Sequence, residues 1–387
     1  MKPALSINAT TRTLEALRHR GIDVLDLTVS NPTRVGLDYP ADLLATLASS
    51  QGLSYDPQPM GMWSAREAVA ADFARRGLTV SPERVALTAS TSEAYAWLFK
   101  LLCDQGDAVL VPQPSYPLFE HLTTLESVRA VPYRLEYHGY WRIDLAGLET
   151  AIDERTRAVL VVSPNNPTGS FLHGDDLQRL DELCSARDLV LIGDEVFADF
   201  PLAPSQIAAS VLQARSAMVC SLGGLSKSVG LPQIKLGWIA FGGPSSKLDA
   251  LMPAYELIAD TFLSVSTPAQ VALPHLLTEG ASVRRQIQAR IARNLQYLRT
   301  AVAAIPAISL LQVEGGWSAT LQVPSFRSEE ALVIEMLTAD HVLVHPGYFF
   351  DFEREAFIVI SLLVEPEQFD RGVARVLARA SQPGGAS

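Results

Sequence analysis

The chain has 387 residues, 48% of them hydrophobic and 19% charged, the balance of a globular protein too long for one ordinary core, so two lobes are expected. Its 42 acidic and 31 basic residues leave a net charge of −11, which argues against a broad nucleic-acid or anionic-membrane surface but leaves room for a local positive pocket. Cys103, Cys184 and Cys220 form no C-x-x-C pair, the histidines show no metal-ligand spacing, and neither a leader-like segment nor an apolar run of about 18 residues is present. The expectation is a cytoplasmic protein with reduced thiols and no metal.

From about residue 85, helical patterns alternate with short apolar runs. Glu93 to Cys103 reads as a helix, Ala108 to Val111 as a strand, Ser115 to Thr124 as a helix and Val128 to Leu135 as a strand. The nearly all-apolar run Ala158 to Ser163 has the pattern of a buried parallel strand. An amphipathic helix from Asp175 to Ala186 leads into a strand at Leu189 to Ile192. Further strands are read at Ala217 to Ser221 and Leu236 to Phe241. This alternation implies right-handed βαβ units and an open, mostly parallel sheet. Val283 to Ala304 reads as a long helix bridging to a second lobe. That lobe has strands at Ile308 to Gln312, Ser318 to Val323, Val342 to Val344 and Phe357 to Leu362, a helix at Pro366 to Arg379 and a frayed tail from Pro383.

Three places stand out chemically. Lys227 lies in a Gly/Ser-rich turn after a strand, where it can present its amine to a pocket, and burial would lower its pKa toward a nucleophilic form. Asp194 follows the strand Leu189 to Ile192, at the carboxyl end where open α/β sheets bind ligands. Glu195, beside it, points to the other side of the chain and reads as structural. Thr88 to Ala94 ends a strand and opens a helix; free N–H groups there make an anion site or serve a plain helix cap. Neither a P-loop nor a G-x-G-x-x-G run is present, so a nucleotide site has no support.

Ser163-Pro-Asn-Asn-Pro-Thr-Gly169, Gly193-Asp-Glu-Val-Phe197 and the stretch Ser221 to Gly237 around Lys227 follow one another in an order that resembles the cofactor site of class I/II pyridoxal-phosphate (PLP) aminotransferases. The resemblance runs from about Asn31 to Ser361, and the intervals Asn166–Asp194 (28 residues) and Asp194–Lys227 (33 residues) fit it. It implies fold type I: an α/β large PLP-binding domain (41–275) with a mostly parallel, seven-stranded-type sheet, and a smaller α+β C-terminal domain (276–387). Residues 1–40 would cover the active site and join the small domain. Implied roles are Lys227 as the imine-forming and proton-moving residue, Asp194 for the ring nitrogen and Asn166 for the phenolic oxygen. Thr91, Ser92, Ser226 and Lys235 would serve the phosphate. Tyr116 would stack on the ring, unless it is core, and Tyr55 would reach the phosphate of a neighbouring subunit in a homodimer with shared sites.

The chain departs from that pattern in three places. Phe197 stands where relatives carry tyrosine, and Gly224 where they carry a serine. Val359, in Phe357-Ile-Val-Ile-Ser361, takes the place of the arginine that clamps the substrate carboxylate. Arg34, in Ser30-Asn-Pro-Thr-Arg34, is the replacement cation proposed, though it reads equally as a solvent-facing residue; Arg354 is another. Trp317 and Tyr348 are read as pocket walls or core. The implied activity is transamination between an amino acid and a 2-oxo acid. Because of Val359, the alternative is a PLP-dependent lyase, racemase, decarboxylase or cyclase.

Overall fold

The computed structural model describes residues 8–202 and 208–382, so the expected tail from Pro383 lies outside the described residues. The strands are β1 (Leu25–Asp26), β2 (Val85–Thr88), β3 (Ala108–Gln113), β4 (Arg129–Tyr137), β5 (Trp141–Ile143), β6 (Thr156–Val162), β7 (Val190–Asp194), β8 (Met218–Gly224), β9 (Gly237–Gly242), β10 (Ser309–Leu310), β11 (Ser318–Gln322), β12 (Val342–Leu343), β13 (His345–Pro346) and β14 (Phe357–Ser361). The helices are α1 (Ala9–His19), α2 (Trp63–Arg75), α3 (Thr91–Leu102), α4 (Leu118–Leu125), α5 (Leu145–Ala151), α6 (Gly174–Ala186), α7 (Leu225–Ser228), α8 (Ser245–Phe262), α9 (Thr267–Glu279), α10 (Ala281–Ala303), α11 (Glu329–Ala339) and α12 (Pro366–Ala380).

The main sheet has eight strands in the order β2-β9-β8-β7-β6-β3-β4-β5. Strands β8, β7, β6, β3 and β4 are parallel to one another, while β9 and β5 run against their neighbours. The eighth strand, β5, is a short hairpin return on β4 that pairs Trp141 with Tyr137 at the sheet edge. Alternation along the central strands sends Ala158, Leu160, Val190, Ile192, Cys220 and Leu222 to one face, where Trp97 of α3 and Tyr255 of α8 cover them. Val159, Val161, Leu191 and Val219 point to the other face, against Leu177, Leu180 and Cys184 of α6. Both faces are covered by helices, which is why these strands read as continuous apolar runs.

Two boundaries differ from expectation. Helix α4 starts at Leu118 rather than Ser115, because Pro117 disfavours helical geometry at Tyr116 before it. That leaves Ser115 and Tyr116 in the loop leading from β3. Strand β7 continues to Asp194 and β8 to Gly224, so both chemically interesting segments begin while still held by the ladder.

A four-stranded sheet, β10-β11-β14-β13, packs with α10 and α12 around Leu295, Leu298, Ile358, Ile360, Val373 and Val376. The N-terminal segment is tied to it. Strand β1 pairs in parallel with β12, Leu27 is fully buried in this core, and Ser361 donates from N to Leu27 O at 2.7 Å and from Oγ to Val29 O at 2.6 Å. Those bonds fix the path of residues 27–30.

Glu195 lies buried behind β7 and β8. It accepts hydrogen bonds from Ser221 Oγ (3.0 Å), Ser210 Oγ (3.0 Å), Val211 N (2.9 Å) and Arg76 Nη2 (3.1 Å). All four donors belong to the scaffold, as the sequence reading of Glu195 expected. Truncation to alanine would strand the Arg76 charge and three donors, so Glu195→Ala is expected to lower unfolding free energy by about 3–5 kcal/mol. Urea titration of the variant checks this, and a loss under about 1 kcal/mol would contradict the structural role.

Candidate active site

Strand register gathers the site at the carboxyl ends of the parallel strands, where open sheets leave a crevice. Thr88, Gly237 and Gly224 lie side by side across β2, β9 and β8. A Cβ on Gly237 would come within 3.2 Å of Ser90, so the start of β9 runs directly against the strand-to-helix turn at Ser90. One strand further along, Asp194 ends β7. These elements open on a cavity of about 230 Å³.

Lys227 leaves the short helix α7 immediately after β8 and enters this cavity. Its Nζ lies 5.4 Å from the Phe197 ring centre and 5.0 Å from that of Trp317. Among the described residues it has neither a hydrogen-bond nor an ion-pair partner. Burial lowers its pKa to about 8, against the opposing pull of Asp194. Asp194 is shifted the other way: burial raises its pKa, and hydrogen bonds from Tyr95 and Val196 together with Lys227 restrain the rise. Tyr95 donates from its hydroxyl to Asp194 Oδ2 at 2.8 Å, and Val196 N donates to Oδ1 at 3.2 Å.

At the start of α3, Ser90 Oγ accepts from Glu93 N at 3.2 Å, and the Glu93 carboxylate turns back to Ala89 N at 2.6 Å. Among the described residues the N–H groups of Thr91 and Ser92 have no partner; Thr91 lines the cavity and Ser92 stands beside it in the first turn. Ser226 is half-buried next to Lys227. Lys235 is exposed, with a left-handed backbone at φ 58°. Neither Ser226 nor Lys235 touches the cavity itself; both belong to the connection between β8 and β9.

Asn166 lines the cavity and accepts from Ser318 Oγ at 3.0 Å, leaving its amide N–H groups free to face inward. The turn that carries it closes through Gly169 (φ 70°), where a Cβ would meet Gly315 O at 2.8 Å; glycine is required there. Tyr116 lies at the cavity mouth, partly exposed, and Trp317 forms a buried wall with Phe197.

Arg34, Arg354, Tyr348 and Tyr55 do not line this cavity. Arg34 is exposed and does not line the cavity; Thr28 and Ser30 of the same segment do. Tyr55 is 73% exposed and lines a separate surface cleft with Pro57 and Leu263. Arg354 lies over the Phe357 ring in yet another cleft, and Tyr348 is exposed beyond the wall. Val359, by contrast, does face the cavity.

Sequence reading missed Tyr95, His345 and Phe350, all of which line the cavity. Tyr95 sits four residues after Thr91 on one helix face, a spacing that could have revealed it. His345 follows β12 closely and pairs with Val359 across β13 and β14. Burial lowers its pKa to about 4, with Asp26 opposing, so its ring is neutral at pH 7. The described lining therefore holds one cation, Lys227, and one carboxylate, Asp194. An unpaired amine in one cavity with a half-buried acid and open N–H groups can bind a small anion, attack a carbonyl and move protons.

The sequence pattern described as Aminotransferase class I and II matches residues 22–376. Alanine aminotransferase of Mycobacterium tuberculosis is 30% identical over 347 residues, spanning 86% of this chain and 79% of the relative. The glutamate-pyruvate aminotransferase AlaA of Escherichia coli is 26% identical over 346 residues, spanning 87% and 85%. Among solved structures, an alanine aminotransferase from Pyrococcus furiosus superimposes with a TM-score of 0.88 at 25% identity, covering 98% of both chains. An aminotransferase from Escherichia coli gives 0.85 at 23% identity over 97% of this chain and 96% of the other, a likeness of fold. The chain belongs to the class I and II aminotransferase family, with a two-domain fold-type-I architecture, and it is an enzyme of amino-group transfer.

Proposed function

We propose that this aminotransferase uses PLP, the cofactor on which its family depends, attached at Lys227, and exchanges an amino group between an amino donor and a 2-oxo acid. The observation that carries the reading is the unpartnered Lys227 amine in one cavity with the half-buried Asp194 carboxylate. The residues present fit the group. Asp194 would hold the ring nitrogen in its protonated form. Asn166 would donate to the phenolic oxygen, and Tyr116 would cover a ring face. The N–H groups of Thr91 and Ser92, the Ser226 hydroxyl and the Lys235 charge would take the phosphate. Tyr55, exposed and remote from its own cavity, suits the phosphate of a second copy in a homodimer. On the same reading, residues 1–40 cover the site, 41–275 form the large domain and 276–387 the small one.

When bound, PLP supplies an electron sink for charge released at the substrate's reacting carbon. Lys227 Nζ takes the proton from that carbon in one half of the cycle and returns one in the other. Tyr95 and Val196 N–H fix the direction in which Asp194 presents its charge. The Phe197 and Trp317 rings flank the lysine amine and cover part of it. Phe197 also leaves the phenolic side of the site without the hydroxyl that tyrosine would bring.

The first test is the visible spectrum of the purified protein with added PLP. A bound chromophore is expected, bleached by single amino donors (alanine and glutamate first, given the names of the relatives) and restored by a 2-oxo acid. Lys227→Ala should lack the covalent band. With Lys227 near 8, the rate of PLP capture should climb about tenfold per pH unit at lower pH and level off above about pH 8. A plateau only near pH 10 would contradict the lowered pKa.

Asp194 allows a test that separates function from folding. Its folded pKa is raised above its unfolded value, about 4. Ionisation therefore costs stability as pH rises past the unfolded value, and the cost is complete above the folded one. At pH 7, Asp194→Asn should raise the Tm of the cofactor-free protein by about 1–3 °C. Transamination in the PLP-loaded variant should fall about 10²–10³-fold. A lower Tm with activity retained would contradict both roles.

A further inference from the structure

We propose that His345 receives the carboxylate on the substrate's reacting carbon, the group that Val359 cannot hold; this rests on the transaminase reading above. A 2-oxo acid, and the amino acid it becomes, each carry that carboxylate into the cavity. Unless donors meet it there, the anion loses hydration without compensation.

The register of the smaller sheet selects His345. It lies directly across from Val359 in the β13–β14 pairing, so the two side chains stand together on one face. Both line the cavity. One imidazole face is stacked on Phe349, with 4.9 Å between ring centres, and Phe350 meets the ring edge-on at 5.6 Å. These contacts restrict the ring, yet among the described residues neither of its nitrogens has a hydrogen-bond or ion-pair partner. A half-buried imidazole held in this way keeps an unspent N–H for a ligand.

The other donors of the lining are spent or stay neutral. Lys227 moves the proton, and the Asn166 amide is assigned to the phenolic oxygen. The hydroxyls of Thr28, Ser318 and Ser361 donate to Asp26 Oδ1, Asn166 Oδ1 and Val29 O. The Trp317 indole N–H, buried and without a partner among the described residues, offers a second contact. It cannot gain a charge, whereas His345 can. Arg34 and Arg354 lie outside the cavity.

Binding at His345 has a pH signature. Burial lowers its pKa to about 4, against the pull of Asp26 on β1, whose carboxylate is engaged with Thr28. Glu329 of α11 is held by Tyr348 N and Phe357 N, while Lys227 and Asp194 share the cavity. A carboxylate placed beside the imidazole favours its charged form and raises its pKa in the complex. The complex then takes up a proton that the free site lacks, so carboxylate binding strengthens as pH falls toward the free value.

The experiment mixes the PLP-loaded enzyme with single L-amino acids in stopped flow and follows bleaching of the visible band. The fastest amino acid is paired with the amine lacking only its 2-carboxylate: ethylamine for alanine, 4-aminobutanoate for glutamate. Wild type should favour the amino acid. His345→Leu should cut its efficiency about ten- to a hundredfold while changing the amine less than about threefold. His345→Gln, which keeps a donor but cannot charge, should recover most of the loss. In wild type the amino-acid-to-amine ratio should rise about tenfold from pH 7 to pH 5, and in His345→Gln it should stay flat. Titration of Lys227 acts on both members of a pair, so the ratio isolates His345. An unchanged ratio in His345→Leu, or a flat one in wild type, would overturn the inference and leave the cofactor assignment standing. Equal losses for amino acid and amine would also overturn it, by marking His345 as structural. A band that no amino acid bleaches, or no band at all, would instead overturn the transaminase reading and the inference with it.

Discussion

The site rests on keeping a carboxylate and an amine in one half-buried cavity without letting them pair. Burial pushes Asp194 up and Lys227 down, each shift favouring the neutral form. A direct ion pair would cancel much of this and occupy the amine. Asp194 is instead anchored by the Tyr95 hydroxyl and Val196 N–H, while Lys227 emerges one strand away between two aromatic rings. The acid is held by neutral donors, so its charge remains available to the cavity. Functional groups held at such cost depend on a scaffold whose other interactions exceed it.

That scaffold is the parallel sheet and its strict alternation. Asp194 and Glu195 are adjacent in sequence, yet one faces the cavity and the other the structural network with Arg76, Ser210 and Ser221. A slip of one residue in β7 would exchange them. The continuous ladder from β6 through β7 to β8 makes the slip costly, because it would also turn Leu191 and Ile192 to the wrong covering helices. The same register brings Thr88, Gly237 and Gly224 level. Residues more than a hundred positions apart thereby acquire a common neighbourhood.

This explains what could be read beforehand. Lys227, Asp194, Asn166 and the Thr91 turn each sit at the end of a strand that announces itself by apolar content, and the cavity gathers all four. Helix α4 starts three residues later than its apolar pattern predicts, because that pattern runs on through Pro117. Tyr95 and His345 were invisible for a different reason. A tyrosine on an apolar helix face and a histidine after a two-residue strand look like core until the partner element is known; Asp194 lies 99 residues beyond Tyr95, and Val359 meets His345 only through the β13–β14 pairing. Arg34 and Tyr55 could not be resolved by local pattern at all. Each is exposed in one chain, and any task at a cavity depends on what approaches from outside.

The cavity also divides its labour between the two sheets. Groups that bear charge and move protons come from the large sheet, where parallel strand ends and helix starts provide fixed dipoles. Val359, His345 and Trp317 come from the smaller sheet and its connections, fastened to the N-terminal segment through Leu27 and Ser361. A change in the smaller sheet can alter which molecules are welcome without disturbing Lys227 or Asp194, because no hydrogen bond runs from Val359 to either side chain. A valine in that wall is then compatible with a working amino-transfer centre. What it changes is the free energy of placing a charge against that wall.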